Sequence, residues 1–261
     1  MHTWQWRTWN ELPYLTCSLL EDFPHGFFTS GFWLRPPVEL TPILAPQAST
    51  YRLKQVHGNV VLTPQEITAK LEVGGDDVED DLVMGDGVKS DQPQQGVWVA
   101  SADCTPVLIA DAKTGQVVAI HAGWKGTAKK IVPVAIQRLL DAGSKITDLR
   151  VAMGPAIAGE VYQVSRETAA EVGATILTET EPEKIVKTLM ELDNSPILPD
   201  PIPDKVRLDV RRVNAIQLAN LGIGSEQIAI ASYCTFQTPE YFFSYRREKA
   251  KKVQWSGIVS Q

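Results

Sequence analysis

The sequence predicts a mixed α+β fold with antiparallel strand pairs, and three observations carry that expectation. Short apolar, β-branched runs bounded by turn residues, at 97–100, 107–110, 117–120 and 149–153, read as buried strands. Helical patterns alternate with them along the chain. The runs at 107–110 and 117–120 are separated only by Asp111-Ala112-Lys113-Thr114-Gly115-Gln116. A connection that short implies antiparallel pairing and argues against a purely parallel dinucleotide-binding sheet.

Taken in order, the elements are as follows. The first residues, Met1-His2-Thr3-Trp4-Gln5-Trp6-Arg7, lack the basic region and apolar run of a secretory leader. Residues 34–48 hold Pro36, Pro37, Pro42 and Pro46 and are expected to form an irregular connection. Residues 74–81 crowd Asp76, Asp77, Glu79, Asp80 and Asp81 into an expected solvated loop, without the ligand spacing of a calcium loop. A helix is expected from Gly126 to Ala142, with Ile131, Val134, Ala135 and Leu139 on one face and Gly143 at its stop. Pro133 either kinks that helix or marks its true start. Ser165 opens another helix. Residues 193–205, with Pro196, Pro199, Pro201 and Pro203, form a second expected irregular connection. A third helix runs from Val210 to Leu221 and ends at Gly222.

The chain has 261 residues, 44% hydrophobic and 21% charged, with a net charge of −6. That is globular composition, long enough to bury a real core. The acidic balance argues against a nucleic-acid binder while leaving room for a local basic pocket. No uninterrupted apolar run reaches the ~18 residues of a membrane span. Three cysteines do not make a disulfide framework, so a reducing, cytoplasmic setting is expected.

The chemistry concentrates where the hairpin ends. If Ala110 faces Val117, then Cys104 faces position 123, two residues from His121. A thiol and an imidazole at one sheet edge suggest either a nucleophile with its base or a soft metal site. His57, in Lys54-Gln55-Val56-His57-Gly58, is the remaining histidine able to join them, since the other two of the four are His2 and His25. Three N/S donors with one open position suit catalytic zinc. The plain alternative is a buried free cysteine and satisfied histidines. Ile120-His121-Ala122-Gly123-Trp124-Lys125-Gly126-Thr127 ends a strand, offers two glycines and starts a helix, with Lys125 adding charge. Tyr241-Phe242-Phe243-Ser244-Tyr245-Arg246-Arg247-Glu248 joins aromatic rings to two arginines, suited to phosphate or a base, or else forms a buried edge strand. Neither Gly85-Asp86-Gly87 nor Gly222-Ile223-Gly224 completes a dinucleotide motif.

Five stretches occur in order: Lys54-Gln55-Val56-His57-Gly58; Ser101-Ala102-Asp103-Cys104-Thr105-Pro106-Val107; His121-Ala122-Gly123-Trp124-Lys125-Gly126; Gly154-Pro155-Ala156-Ile157 with Tyr162-Gln163-Val164; and Phe242-Phe243-Ser244-Tyr245-Arg246-Arg247. Together, over about Tyr51 to Arg247, they resemble the family once labelled multicopper polyphenol oxidoreductase (laccase-type) and described as purine nucleoside phosphorylase with adenosine deaminase activity. The resemblance implies a layered αβ sandwich with mixed β-sheets, related to the toxin deamidase-like cysteine hydrolase fold. It implies one catalytic domain over 1–261, with zinc held by His57, Cys104 and His121, which are also the catalytic residues. It implies purine nucleosides and phosphate as partners, with Lys125, Arg246 and Arg247 as candidate substrate or phosphate contacts. Two other activities stay open: a Cys104/His121 amidase or deamidase acting on cell-wall precursors, and a copper polyphenol oxidase. Four histidines are too few for a multicopper centre, and a single copper would need Met84 or Met153 as an axial ligand. A structural metal is a further alternative, though three donors fall short of the usual four. The chain departs from the family in its proline-rich segment after Trp33, at Gly159-Glu160-Val161 before Tyr162, and at Val253-Gln254-Trp255, where a Gly-Arg pair is missing.

Overall fold

The computed structural model describes residues 2–261. Two six-stranded sheets stack face to face. The first runs Trp4–Trp9, Leu12–Cys17, His25–Phe28, Gln254–Val259, Gln95–Ser101, Ser49–Tyr51. The second runs Ile228–Ile230, Leu149–Met153, Thr105–Asp111, Val117–Ala122, Gly87–Lys89, Val61–Leu62. Both are mixed: Ser49–Tyr51 pairs parallel with Gln95–Ser101, and the second sheet has a parallel pair at each edge.

The four predicted apolar runs all lie in strands of these sheets. Thr105–Asp111 and Val117–Ala122 are buried along their whole length, which is why they read as unbroken apolar runs. Leu108, Ala110, Val117 and Ala119 pack between the sheets against Leu15, Phe27, Val97, Val99 and Ile258. Val107, Ile109, Val118 and Ile120 point the other way, onto Ile131, Ile136 and Leu139 of helix Ile131–Asp141 and Leu218 of helix Val210–Asn220. Each such aliphatic side chain contributes ~1.5–3 kcal/mol by leaving water. Helix Pro37–Leu44 covers the outer face of the first sheet, where Leu40 meets Phe28, Phe32 and Trp98. The order helix, sheet, sheet, helix is the expected layered αβ sandwich.

The hairpin register is the expected one: Ala110 pairs with Val117 and Thr105 with Ala122. The turn enforces it. Asp111 Oδ1 accepts the N–H groups of Lys113 and Thr114 at 2.8 and 3.0 Å, and Gly115 takes φ +75°.

Three connections and one helix differ from expectation. Residues 34–48 contain helix Pro37–Leu44: Pro37 occupies the first helical position, where a missing N–H costs nothing, and Pro42 lies inside the helix without ending it. Residues 193–205 contain strand Ile197–Pro199, and Pro199 is tolerated because that strand is the edge of a three-stranded sheet with Lys205–Leu208 and Gln163–Ser165. The acidic loop forms a ribbon of Val78–Glu79 with Leu82–Val83, whose Asp80 pairs with Lys54 at 2.7 Å. The single helix over 126–142 is two, Trp124–Ala128 and Ile131–Asp141, broken at Lys130 with φ +58°. Pro133 therefore lies in a first turn.

The helix starts at Ser165 and Asp209 are as the residues dictate. Each side chain accepts an N–H three residues on, from Thr168 and Arg212, both at 3.2 Å. Residues 241–248 form no edge strand but a short helix, Tyr245–Glu248, capped by Ser244. Among the described residues no helix is long and apolar enough to cross a membrane.

Candidate metal centre

Cys104 sits at the start of strand Thr105–Asp111 and His121 near the end of its antiparallel partner, as the register requires. His57 arrives from the loop after Ser49–Tyr51, with φ +58°. The ligand atoms of the three residues all lie within 4.8 Å of one another. The two imidazole rings are 4.8 Å apart and nearly perpendicular, at 79°. His121 is buried, Cys104 is half-buried and His57 is exposed, so the group opens to solvent on the His57 side.

The facing position, 123, is a glycine for reasons of space. A Cβ there would lie 2.7 Å from Cys104 Sγ and 3.5 Å from His57 Cδ2. Gly123 has φ −72° and ψ 170°, open to any residue, so the constraint comes from the Cys104 and His57 side chains.

The residue that organises the group is Asp86, which sequence reasoning missed. Its carboxylate is wholly buried and accepts the N–H groups of Val56, His57 and Gly58 at 3.2, 2.9 and 2.7 Å. It also accepts from Nδ1 of His121 at 2.8 Å. One carboxylate thus holds the His57 loop and fixes the His121 tautomer, leaving Nε2 for the site. Gln55 ties the same loop to the first sheet by donating to the Ala100 carbonyl at 2.8 Å and accepting its N–H at 2.7 Å. The only sequence signal for Asp86 was an acid between two glycines.

Burial alone would raise the Asp86 carboxyl, but the His121 ring and the loop N–H groups hold it below the usual carboxylate range. Burial likewise opposes ionisation of Cys104, yet the two histidines outweigh it and bring the thiol down to about 6. Burial opposes protonation of His121, but Cys104 and Asp86 outweigh that and push it up to about 10. Each partner thus favours the other's charged form.

A second wall adjoins Cys104. Asp103, at φ +88°, accepts the Thr235 hydroxyl at 2.7 Å and the Arg246 backbone N–H at 2.6 Å. The Arg246 guanidinium lies 4.7 Å from the Tyr162 ring centroid and donates to the Gln163 carbonyl at 2.9 Å. Burial and the Cys104 charge push the Tyr162 phenol up to about 12, so it stays a neutral donor. Arg247 is engaged elsewhere. It donates to the carbonyls of Thr235, Phe236 and Phe242 and to Glu248, at 2.6–2.8 Å. Lys125 is exposed, its ammonium 5.6 Å from the Trp124 ring.

The donor set fits one soft or borderline metal. Tetrahedral zinc with bonds of ~2.0–2.3 Å needs donors roughly 3.3–3.7 Å apart, within reach of this group by small side-chain shifts. It does not fit a multicopper cluster. His25 is buried between the Cys17 N–H and the Phe23 carbonyl, both at 2.8 Å, and His2 bonds the Glu226 carbonyl. Met153 packs on the helix-facing side of the second sheet, opposite to His121. Among the described residues His57, Cys104 and His121 are the one three-donor group.

Residues 40–259 match the family described as multi-copper polyphenol oxidoreductase laccase. A relative from Synechocystis, named purine nucleoside phosphorylase slr1573, is 52% identical over 98% of this chain and 97% of its own length. Adenosine deaminase RL5, from an unknown prokaryotic organism, is 27% identical over 58% of this chain and 52% of its own length. The crystal structure of YlmD from Geobacillus stearothermophilus has the same fold, with a TM-score of 0.76 at 22% identity over 98% of both chains.

Proposed function

We propose a function from one premise: the chain belongs to the multi-copper polyphenol oxidoreductase laccase family. Our reading is a zinc-dependent purine nucleoside phosphorylase that also deaminates adenosine, a single catalytic domain over residues 1–261 working in the cytoplasm. Two findings support it: the 52% identity to a relative named purine nucleoside phosphorylase, and the His57, Cys104 and His121 donors with one open side. The second is the observation that carries the chemistry.

His57, Cys104 and His121 would hold the metal. Bound there, zinc supplies Lewis acidity and a water of lowered pKa, the chemistry that replacing the adenine amino group requires. Asp86 keeps His121 oriented and the His57 loop closed. Arg246, with donors to spare, binds phosphate oxygens, and Lys125 adds positive field at the rim. Arg247 braces the segment that carries Arg246. In phosphorolysis a phosphate oxygen forms the bond to the anomeric carbon as the glycosidic bond breaks, and the electron pair leaves with the base.

The test is base release from adenosine and inosine with and without phosphate. Ribose 1-phosphate should form, and release should depend on phosphate. Equal rates without phosphate would mean hydrolysis and defeat the reading.

One observation favours a second reading. Cys104, His121 and Asp86 stand in series as a thiol, an imidazole and a carboxylate, the makings of a thiol nucleophile for an amidase or deamidase. That arrangement leaves His57 without a task. Under the zinc reading a chelator abolishes activity, zinc restores it, and alkylation acts on the metal-free form. Full activity after exhaustive chelation would establish the thiol mechanism instead.

A further inference from the structure

We infer that Asp103 is a positioning residue that ties the Cys104 donor to Arg246 and keeps the Arg246 guanidinium free to bind an oxyanion. This rests on the phosphorolytic reading above and identifies how its anion subsite is built.

Asp103 is 8% exposed and directly precedes Cys104. Its backbone is left-handed, at φ +88°, a conformation that costs a non-glycine residue strain and persists only where surroundings enforce it. Three bonds enforce it. Oδ1 takes the Thr235 hydroxyl, Oδ2 takes the Arg246 backbone N–H, and the Asp103 carbonyl takes the Ile157 N–H at 3.0 Å. The start of strand Thr105–Asp111, the 157 loop, the 235 loop and the segment bearing Arg246 are thus joined at one residue.

The choice of partner matters as much as the number. A carboxylate beside an arginine ordinarily takes the guanidinium fork. Here the carboxylate is spent on Thr235 and on the arginine's own backbone. The Arg246 guanidinium stacks on Tyr162, gives one bond to the Gln163 carbonyl, and forms no ion pair among the described residues. Arg247, its neighbour, has both terminal nitrogens engaged by carbonyls and Glu248. The two arginines therefore divide the work: one holds the segment, the other keeps an unneutralised fork. An inorganic phosphate oxyanion matches that fork.

Asp103→Gly keeps the left-handed backbone and deletes the carboxylate. Asp103→Asn keeps the backbone and one acceptor. The readouts are metal per chain, calorimetric binding of inorganic phosphate, and KM for phosphate against KM for nucleoside. Expected for Asp103→Gly is a metal content like the parent's, phosphate Kd and KM raised at least tenfold, and nucleoside KM within threefold. Asp103→Asn should fall between and carries the same criteria if the glycine variant fails to fold. Arg246→Gln should lose phosphate affinity similarly, and adding Asp103→Gly to it should cost nothing more. The inference is overturned if the folded Asp103 variants bind phosphate within twofold of the parent. It is also overturned if the parent binds no phosphate at millimolar concentration, or if the two losses simply add. Base release that ignores phosphate in a protein that binds it through Arg246 would defeat the phosphorolytic reading and leave this inference standing.

Discussion

Replacing Gly123 by alanine tests the centre with a single methyl group. The backbone at 123 is extended, so alanine introduces no conformational strain of its own. The new Cβ would stand 2.7 Å from Cys104 Sγ. Non-bonded carbon contacts settle near 3.5–4.0 Å, so the sulfur must retreat by about 1 Å. Metal–donor bonds hold to within about 0.2 Å of their standard lengths, and the methyl group would keep the sulfur from closing to that length. The crowding should cost ~1–3 kcal/mol of fold stability, which this core can absorb. Displacing one donor of three should weaken metal binding at least ~100-fold, about 2.7 kcal/mol. The assay is zinc competition against a chelator of known affinity, with elemental analysis and far-UV circular dichroism on the same samples. A well-folded Gly123→Ala protein that holds zinc within threefold of the parent affinity would refute the idea that Cys104 Sγ is a donor placed by the hairpin register.

Cys104→Ser should fold and carry no zinc, and full zinc retention would remove Cys104 from the centre. Asp86→Asn should lower metal affinity ~10–100-fold by releasing the His121 ring, and the cost to stability should reach about 2–4 kcal/mol because buried N–H donors lose their acceptor; urea titration reads the second and chelator competition the first. Asp111→Asn should flatten the acid limb of the stability curve. Burial raises the Asp111 carboxyl, but the Ser144 side chain and the turn N–H groups together outweigh it and hold it below its usual value. A depressed carboxylate contributes stability that is present above its unfolded pKa of ~3.9 and is lost as pH falls through the lower folded value. Thermal melts of both proteins from pH 6 to pH 2 check it, and parallel curves would refute it.

What the sequence made legible was local in the right way. Asp111-Ala112-Lys113-Thr114-Gly115-Gln116 fits one tight turn, so the register of its flanking strands, and the meeting of Cys104 with position 123, followed from pairing alone. Asp86 was not legible, because its partners are reached through Gly87 pairing with Ile120 and through the fold of the 56–58 loop, neither of which has a sequence period. The helix at Pro37–Leu44 was masked by proline count, since Pro37 opens it at a position that needs no N–H partner and Pro42 is accommodated inside it. Arg246 and Arg247 look equivalent as a dipeptide, and only the carbonyls of residues 235, 236 and 242 separate them.

Strand Gln254–Val259 lies in the interior of the first sheet, between His25–Phe28 and Gln95–Ser101. During synthesis the ribosome makes the three N-terminal strands of that sheet more than two hundred residues before the strand that closes them. At ordinary elongation rates the delay is roughly 10–45 s. Through that interval His25–Phe28 presents an open edge that carries Phe27 and Phe28, the kind of surface that recruits other nascent chains. Slow translation or crowded polysomes should therefore tax this protein's yield more than its final stability would suggest, and holdase chaperones should find their main client surface at that edge.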